Sequence, residues 1–137
     1  MFASAAAVLA WDSWQTPYHI RTIATFFGIG GFAAFPIGLI LASFLSHRRG
    51  PETAFAAAFV SLATASFVAI GGLFALEYRS YYAEWHAAAF TVVWFFQFVF
   101  TVAAALYQFA VLGLRLFFPV GFIALIATSL WFARQPR

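Results

Sequence analysis

The chain contains no cysteine and no lysine, and only four of its 137 residues are acidic. The missing cysteines exclude disulfides, thiolate metal sites and a cysteine nucleophile together. Charged residues of every kind make up 8% of the chain against 65% hydrophobic and 22% aromatic, and the mean hydropathy is +0.93. A soluble fold needs polar outward faces, and so few polar residues cannot build them. Lipid must act as the outer solvent, which makes this an integral membrane protein. Arginine used without lysine, beside many alanines, points to a GC-rich bacterial genome and hence to a bacterial inner membrane. The net charge of +3 comes from arginines scattered at segment ends. No basic patch or stripe exists, so a nucleic-acid partner is not expected.

Four stretches lack Asp, Glu, Lys, Arg and His altogether: about 22–46, 53–76, 87–111 and 117–133. Each is near the roughly 20 residues that a helix needs to cross the hydrocarbon core. Only helices satisfy their own backbone at this length in lipid. The expected fold is all-α, a single domain over 1–137 forming an antiparallel up-down-up-down four-helix bundle with both termini on one side. The first 18 residues, with Trp11, Trp14 and Tyr18, read as a short segment lying at the membrane interface. Gly113 and Arg115 mark a tight turn before the fourth span, with Pro119 in its first turn. This arrangement splits the arginines almost evenly, with Arg21, Arg79, Arg134 and Arg137 on one side and Arg48, Arg49 and Arg115 on the other.

Small residues recur every four positions in the first two spans: Gly30, Ala34, Gly38, Ala42 and Ser46, then Ala57, Ser61, Ala65 and Ala69. Backbones must approach closely where the hydrophobic effect cannot drive association, so these stripes are the expected packing faces. Pro36 removes a backbone hydrogen bond in mid-span and predicts a kink. In the segment HRRGPE, His47, Arg48 and Arg49 suit the negative end of the first helix dipole, and Gly50 is expected in the left-handed conformation that stops it. Pro51 and Glu52 then open the second helix. A second use for His47, Arg48 and Arg49 is binding anionic lipid or a partner's carboxylates.

Polar groups inside the spans are few. Gln97, Thr101 and Gln108 share one face of the third span, and with Trp94 they are the candidate contacts for an apolar cofactor such as a quinone or carotenoid, or for a bound lipid. Their plainer use is hydrogen bonding between helices. His19, Glu84 and His86 could meet as a two-histidine, one-carboxylate metal site, though their spacing is no known motif. No acidic residue lies within a span to couple ions, and no Gly-rich phosphate loop, HExxH or GxSxG occurs. The sequence favours a non-enzymatic accessory or structural subunit of a larger membrane complex, holding lipid or another apolar ligand. The alternative is a small oligomeric transporter or lipid-linked flippase subunit using the Pro36 kink and the Gln97 face. Expected partners are membrane lipids and other subunits or further copies of the chain.

Overall fold

The computed structural model describes residues 2–12 and 17–135, excepting the side chains at 4, 10–12, 17–20 and 112. Its regular structure is all helical, with no strand among the described residues. The helices are α1 (Phe2–Asp12), α2 (Pro17–Leu45), α3 (Pro51–Tyr82), α4 (Val92–Gln108) and α5 (Val120–Ala133). Three are long and apolar enough to cross a membrane: Arg21–Leu45 in α2, Pro51–Trp85 from α3, and Val92–Val111 from α4. The chain groups into two compact units, Met1–Ile70 with Leu116–Arg137, and Gly71–Arg115.

In the first unit α2 and α3 form a close antiparallel pair. A Cβ on Gly30 would lie 2.5 Å from Ile70 Cγ1 and 3.2 Å from its Cα, and one on Gly38 would lie 2.9 Å from Leu62 Cα. Ala42 clusters with Ala58 and Leu62. Each step forward along α2 is matched by an equal step back along α3, so one register holds for the whole seam. Ala34 and Ala42 are buried on α2, and Ser46 is buried just past its end. On α3 the row that meets them is Ala54, Ala58, Leu62 and Ile70, one position on from the alanine-serine stripe. Ala57, Ser61 and Ala65 are buried beside it, and Ala69 is half-buried. α2 remains one helix across Pro36, whose ring is exposed.

α5 completes this unit. Leu125 and Phe132 pack on the Ala42–Ala58–Leu62 cluster, and Phe122 meets Phe59 edge-on at 6.3 Å. Phe27 near the start of α2 touches Phe117 just before α5, with ring centroids 5.1 Å apart. Ser43 and Ser46 near the end of α2 share a cleft with Phe132 and Gln135 at the end of α5. α5 therefore runs parallel to α2 and against α3. An up-down-up-down order requires the first and fourth apolar segments to be antiparallel, so that expectation is corrected. The preceding connection is no tight turn at Gly113 and Arg115: Phe109–Gly113 winds as a π turn and Leu114–Phe117 as a 3-10 turn. Pro119, lacking an N–H and restricting Phe118 before it, stops α5 from extending upstream. The helix is 14 residues, about 21 Å, shorter than the core it was expected to span.

α1 packs along α2, with Phe2 lying over Gly28 at 3.4 Å from where a Cβ would stand. Ala5 and Leu9 are buried. The expected headgroup anchors Trp14, Trp11 and Tyr18 fall outside the described residues or side chains.

The 46–50 turn departs from expectation at one residue. Arg48, not Gly50, takes the left-handed conformation, with φ 56°, and no glycine among the described residues has positive φ. The cause is Pro51, which pushes the residue before it into extended backbone. Gly50 then serves as the start of α3, its carbonyl accepting from Ala54 N at 3.0 Å. The left-handed conformation strains a residue with a Cβ by about 1–2 kcal/mol. Arg48→Gly is expected to raise stability in lipid-free detergent by about 1 kcal/mol, read from thermal unfolding. Arg48→Val should lower it.

Candidate functional site

The second unit gathers the polar residues of α4. Its N-terminus is set by Thr91, whose Oγ1 accepts from Trp94 N at 3.2 Å. The span expected to start at 87 therefore begins its helix at Val92, and residues 86–91 form an irregular loop with Phe90 at φ 67°. α3 in turn continues past 76 to Tyr82, because Glu77 and Arg79 mark a change in polarity and are themselves good helix formers.

The 86–91 loop folds back along α4. Ala87 N donates to Gln97 Oε1 at 2.8 Å. Thr101 Oγ1 gives its proton to Gln97 O at 2.7 Å, so its 3.2 Å contact with His86 Nε2 is one in which histidine donates. Gln108 Nε2 donates to Tyr78 OH at 3.2 Å. The polar face is thus spent on holding the α3–α4 hairpin closed. Gln97→Leu would leave the half-buried Ala87 amide without its acceptor, at a cost of about 1–3 kcal/mol. Hydrogen exchange at Ala87 is expected to speed up while α2 is unaffected.

Aromatic side chains frame this hairpin. Arg79 lies over the Phe98 ring at 5.4 Å, Trp94 stacks on Phe98 and touches Phe90, both at 5.5 Å, and Tyr78, Tyr81, Tyr82 and Trp85 form a contiguous cluster. Trp94 is thereby engaged by neighbouring rings. Phe109, 1% exposed, anchors the other end. It packs on Phe74 at 5.5 Å, and a Cβ on Gly71 would lie 3.2 Å from its ring. Glycine at 113 is required by the same ring.

The metal candidates are not assembled. Glu84 is exposed, His86 is half-buried on Thr101, and the His19 side chain lies outside the description. Among the described residues no group of three His, Cys, Asp or Glu could hold a metal ion.

In the first unit, a cleft of about 720 Å³ opens at the 46–50 turn, lined by Ser43, Ser46, His47, Arg48, Arg49, Phe132 and Gln135. A shallower one beside it is lined by Pro51, Glu52, Phe55, Leu130, Ala133 and Arg134. The parallel course of α2 and α5 brings Arg134 to the same end as Arg48 and Arg49, although the sequence reading set them on opposite sides. Ser43 and Gln135 were missed as cleft residues, since only the direction of α5 brings them together. Thr91 was legible as a helix cap from its residue type and position before an apolar run. No protein-family model matches this chain, and neither curated proteins nor solved structures give a match.

Proposed function

We propose that this chain is a multi-pass protein of a bacterial inner membrane that acts by assembly, as an accessory or structural subunit of a larger membrane complex with lipid or another apolar ligand bound to it. The observation that carries this reading is the surface of the α3–α4 hairpin. Only 11% of the most apolar stretch of Val92–Val111 is buried, against 33% for that of Pro51–Trp85. Phe95, Phe96, Val99 and Phe100 are exposed on α4. Yet Glu77, Arg79 and Glu84 are exposed on the segment that pairs with the same helix between Gln97 and Gln108. Hydrocarbon suits the phenylalanines and not the charges, and water the reverse. A partner subunit that offers an apolar groove next to polar groups suits both.

The transporter or flippase reading relies on the Gln97, Thr101 and Gln108 face as a polar path. Those groups bond within the hairpin, so nothing on that face favours it. Recovery of the tagged full-length chain in mild detergent tests the assembly reading. It should emerge with other membrane subunits in fixed proportion, and a lone monomer that carries flux in liposomes would refute it.

We infer the orientation from the arginines. In the first unit, Arg48, Arg49 and Arg134 lie at one end and Arg21 toward the other. Arg79 lies in the last turn of α3, away from the α2–α3 turn, which leaves three arginines against two, and on that margin we read the α2–α3 turn as cytoplasmic.

A further inference from the structure

We propose that the cleft at the α2–α3 turn binds the headgroup of an anionic phospholipid, with Arg48 and Arg49 taking its phosphate. This deepens the bound-lipid part of the function proposed above and rests on the bilayer placement given there.

Among the described residues, the arginines have no competing structural duty. Cations at a helix C-terminus ordinarily serve its free carbonyls and dipole. Here the backbone closes the end of α2: Ser46 N donates to Ala42 O at 2.9 Å, and Arg49 N to Ser46 O at 3.0 Å. Ser43 and Ser46 hydroxyls donate to Leu39 O and Ala42 O. Among the described residues no carboxylate forms an ion pair with Arg48 or Arg49. Arg48, Arg49, His47 and Gln135 bring the remaining side-chain donors among the residues that line a cleft of about 720 Å³. Guanidinium matches phosphate with paired hydrogen bonds, which makes arginine suited to this ligand.

The surroundings select a lipid over a free anion or a protein carboxylate. Phe132 forms an apolar wall of the cleft. Ile37, Ile40 and Phe44 are exposed at helical spacing on α2, Phe44 at 83%, and this row ends at His47. A headgroup in the cleft can therefore lay an acyl chain on that row. The guanidiniums of Arg48 and Arg49 attract a net negative headgroup and repel the cation of a zwitterionic one. In the orientation proposed above the turn faces the cytoplasmic leaflet, whose anionic lipids attract a basic site.

Native mass spectrometry of the full-length protein, titrated with phosphatidylglycerol or phosphatidylcholine, tests the site. The wild-type chain is expected to prefer phosphatidylglycerol by about tenfold. Arg48→Gln with Arg49→Gln should reduce the preference to less than about twofold. Arg48→Gly with Arg49→Gln should do the same while relieving the left-handed backbone, which guards against misfolding. Arg134→Gln, outside the cleft, should keep the preference. Equal binding of both lipids by the wild type, or an unchanged preference in both double variants, would overturn the proposal. Displacement of phosphatidylglycerol by millimolar inorganic phosphate would overturn the lipid assignment in favour of a free-anion site. Partner recovery is scored on the same samples. Loss of lipid preference with partners retained supports this site as a separate feature, and intact preference in a wild-type chain that recovers no partner supports it while refuting the assembly reading.

Discussion

Gly38→Leu is expected to separate α2 from α3 and leave no folded protein in detergent, whereas Gly38→Ala should cost about 1–3 kcal/mol. The difference lies in what the new atoms meet. A Cβ at Gly38 stands 2.7 Å from Leu62 Cδ2, which can rotate away, but also 2.9 Å from Leu62 Cα, which cannot move without its helix. In lipid no hydrophobic drive holds the helices together once their backbones part, because hydrocarbon solvates the exposed faces as well as a neighbour does. Gly38→Ala combined with Leu62→Ala should therefore recover only the part of the loss due to the side chain. Phe44→Leu, on the exposed side of the same helix, should change stability by less than about 0.5 kcal/mol. Reversible unfolding in bicelles distinguishes these cases, and a Gly38→Leu protein as stable as wild type would rule out the seam.

The second large effect is expected in the other unit. Phe109→Ala should destabilise the α3–α4 hairpin by about 3–5 kcal/mol, since a fully buried ring is lost and the glycines around it cannot fill the space. Phe109→Leu keeps most of the volume and should cost less than about 1.5 kcal/mol. The ring sits between Gly71 and Gly113 and against Phe74, all within Gly71–Arg115. Faster hydrogen exchange is therefore expected across that unit, with the α2 seam protected as before. Equal loss of protection in both units would show that they do not open separately.

Much of the seam could be read from the sequence, because a four-residue recurrence of small side chains has one straightforward use in lipid. Its partner row could not. Ala54, Ala58, Leu62 and Ile70 differ from the alanine-serine stripe by a single position, and helix rotation depends on packing rather than on residue size alone. The polar face of α4 was visible at Gln97, Thr101 and Gln108, but the groups that bond it come from residues 78–87, which charge had marked as a boundary loop. Charge locates a change in polarity, and α3 carries Glu77 and Arg79 through that change without ending. Local rules that act on neighbours were legible in principle: Pro51 governs Gly50, Pro119 limits α5, and Thr91 starts α4. The direction of α5 follows no local rule. With it went the pairing of Arg134 with Arg48 and Arg49, and the shape of the basic cleft.

The proposed placement of α2 and α5 in a bilayer, with their basic end in the cytoplasm, underlies the functional reading most directly. The chain has no cysteine, so single cysteines can be introduced at Gly50, Gln135 and Phe44 and tested with a membrane-impermeant maleimide. Gly50→Cys and Gln135→Cys should react in inverted vesicles and not in intact cells, with Phe44→Cys unreactive in both. Labelling of Gly50→Cys and Gln135→Cys from opposite sides, or of Phe44→Cys from water, would contradict it.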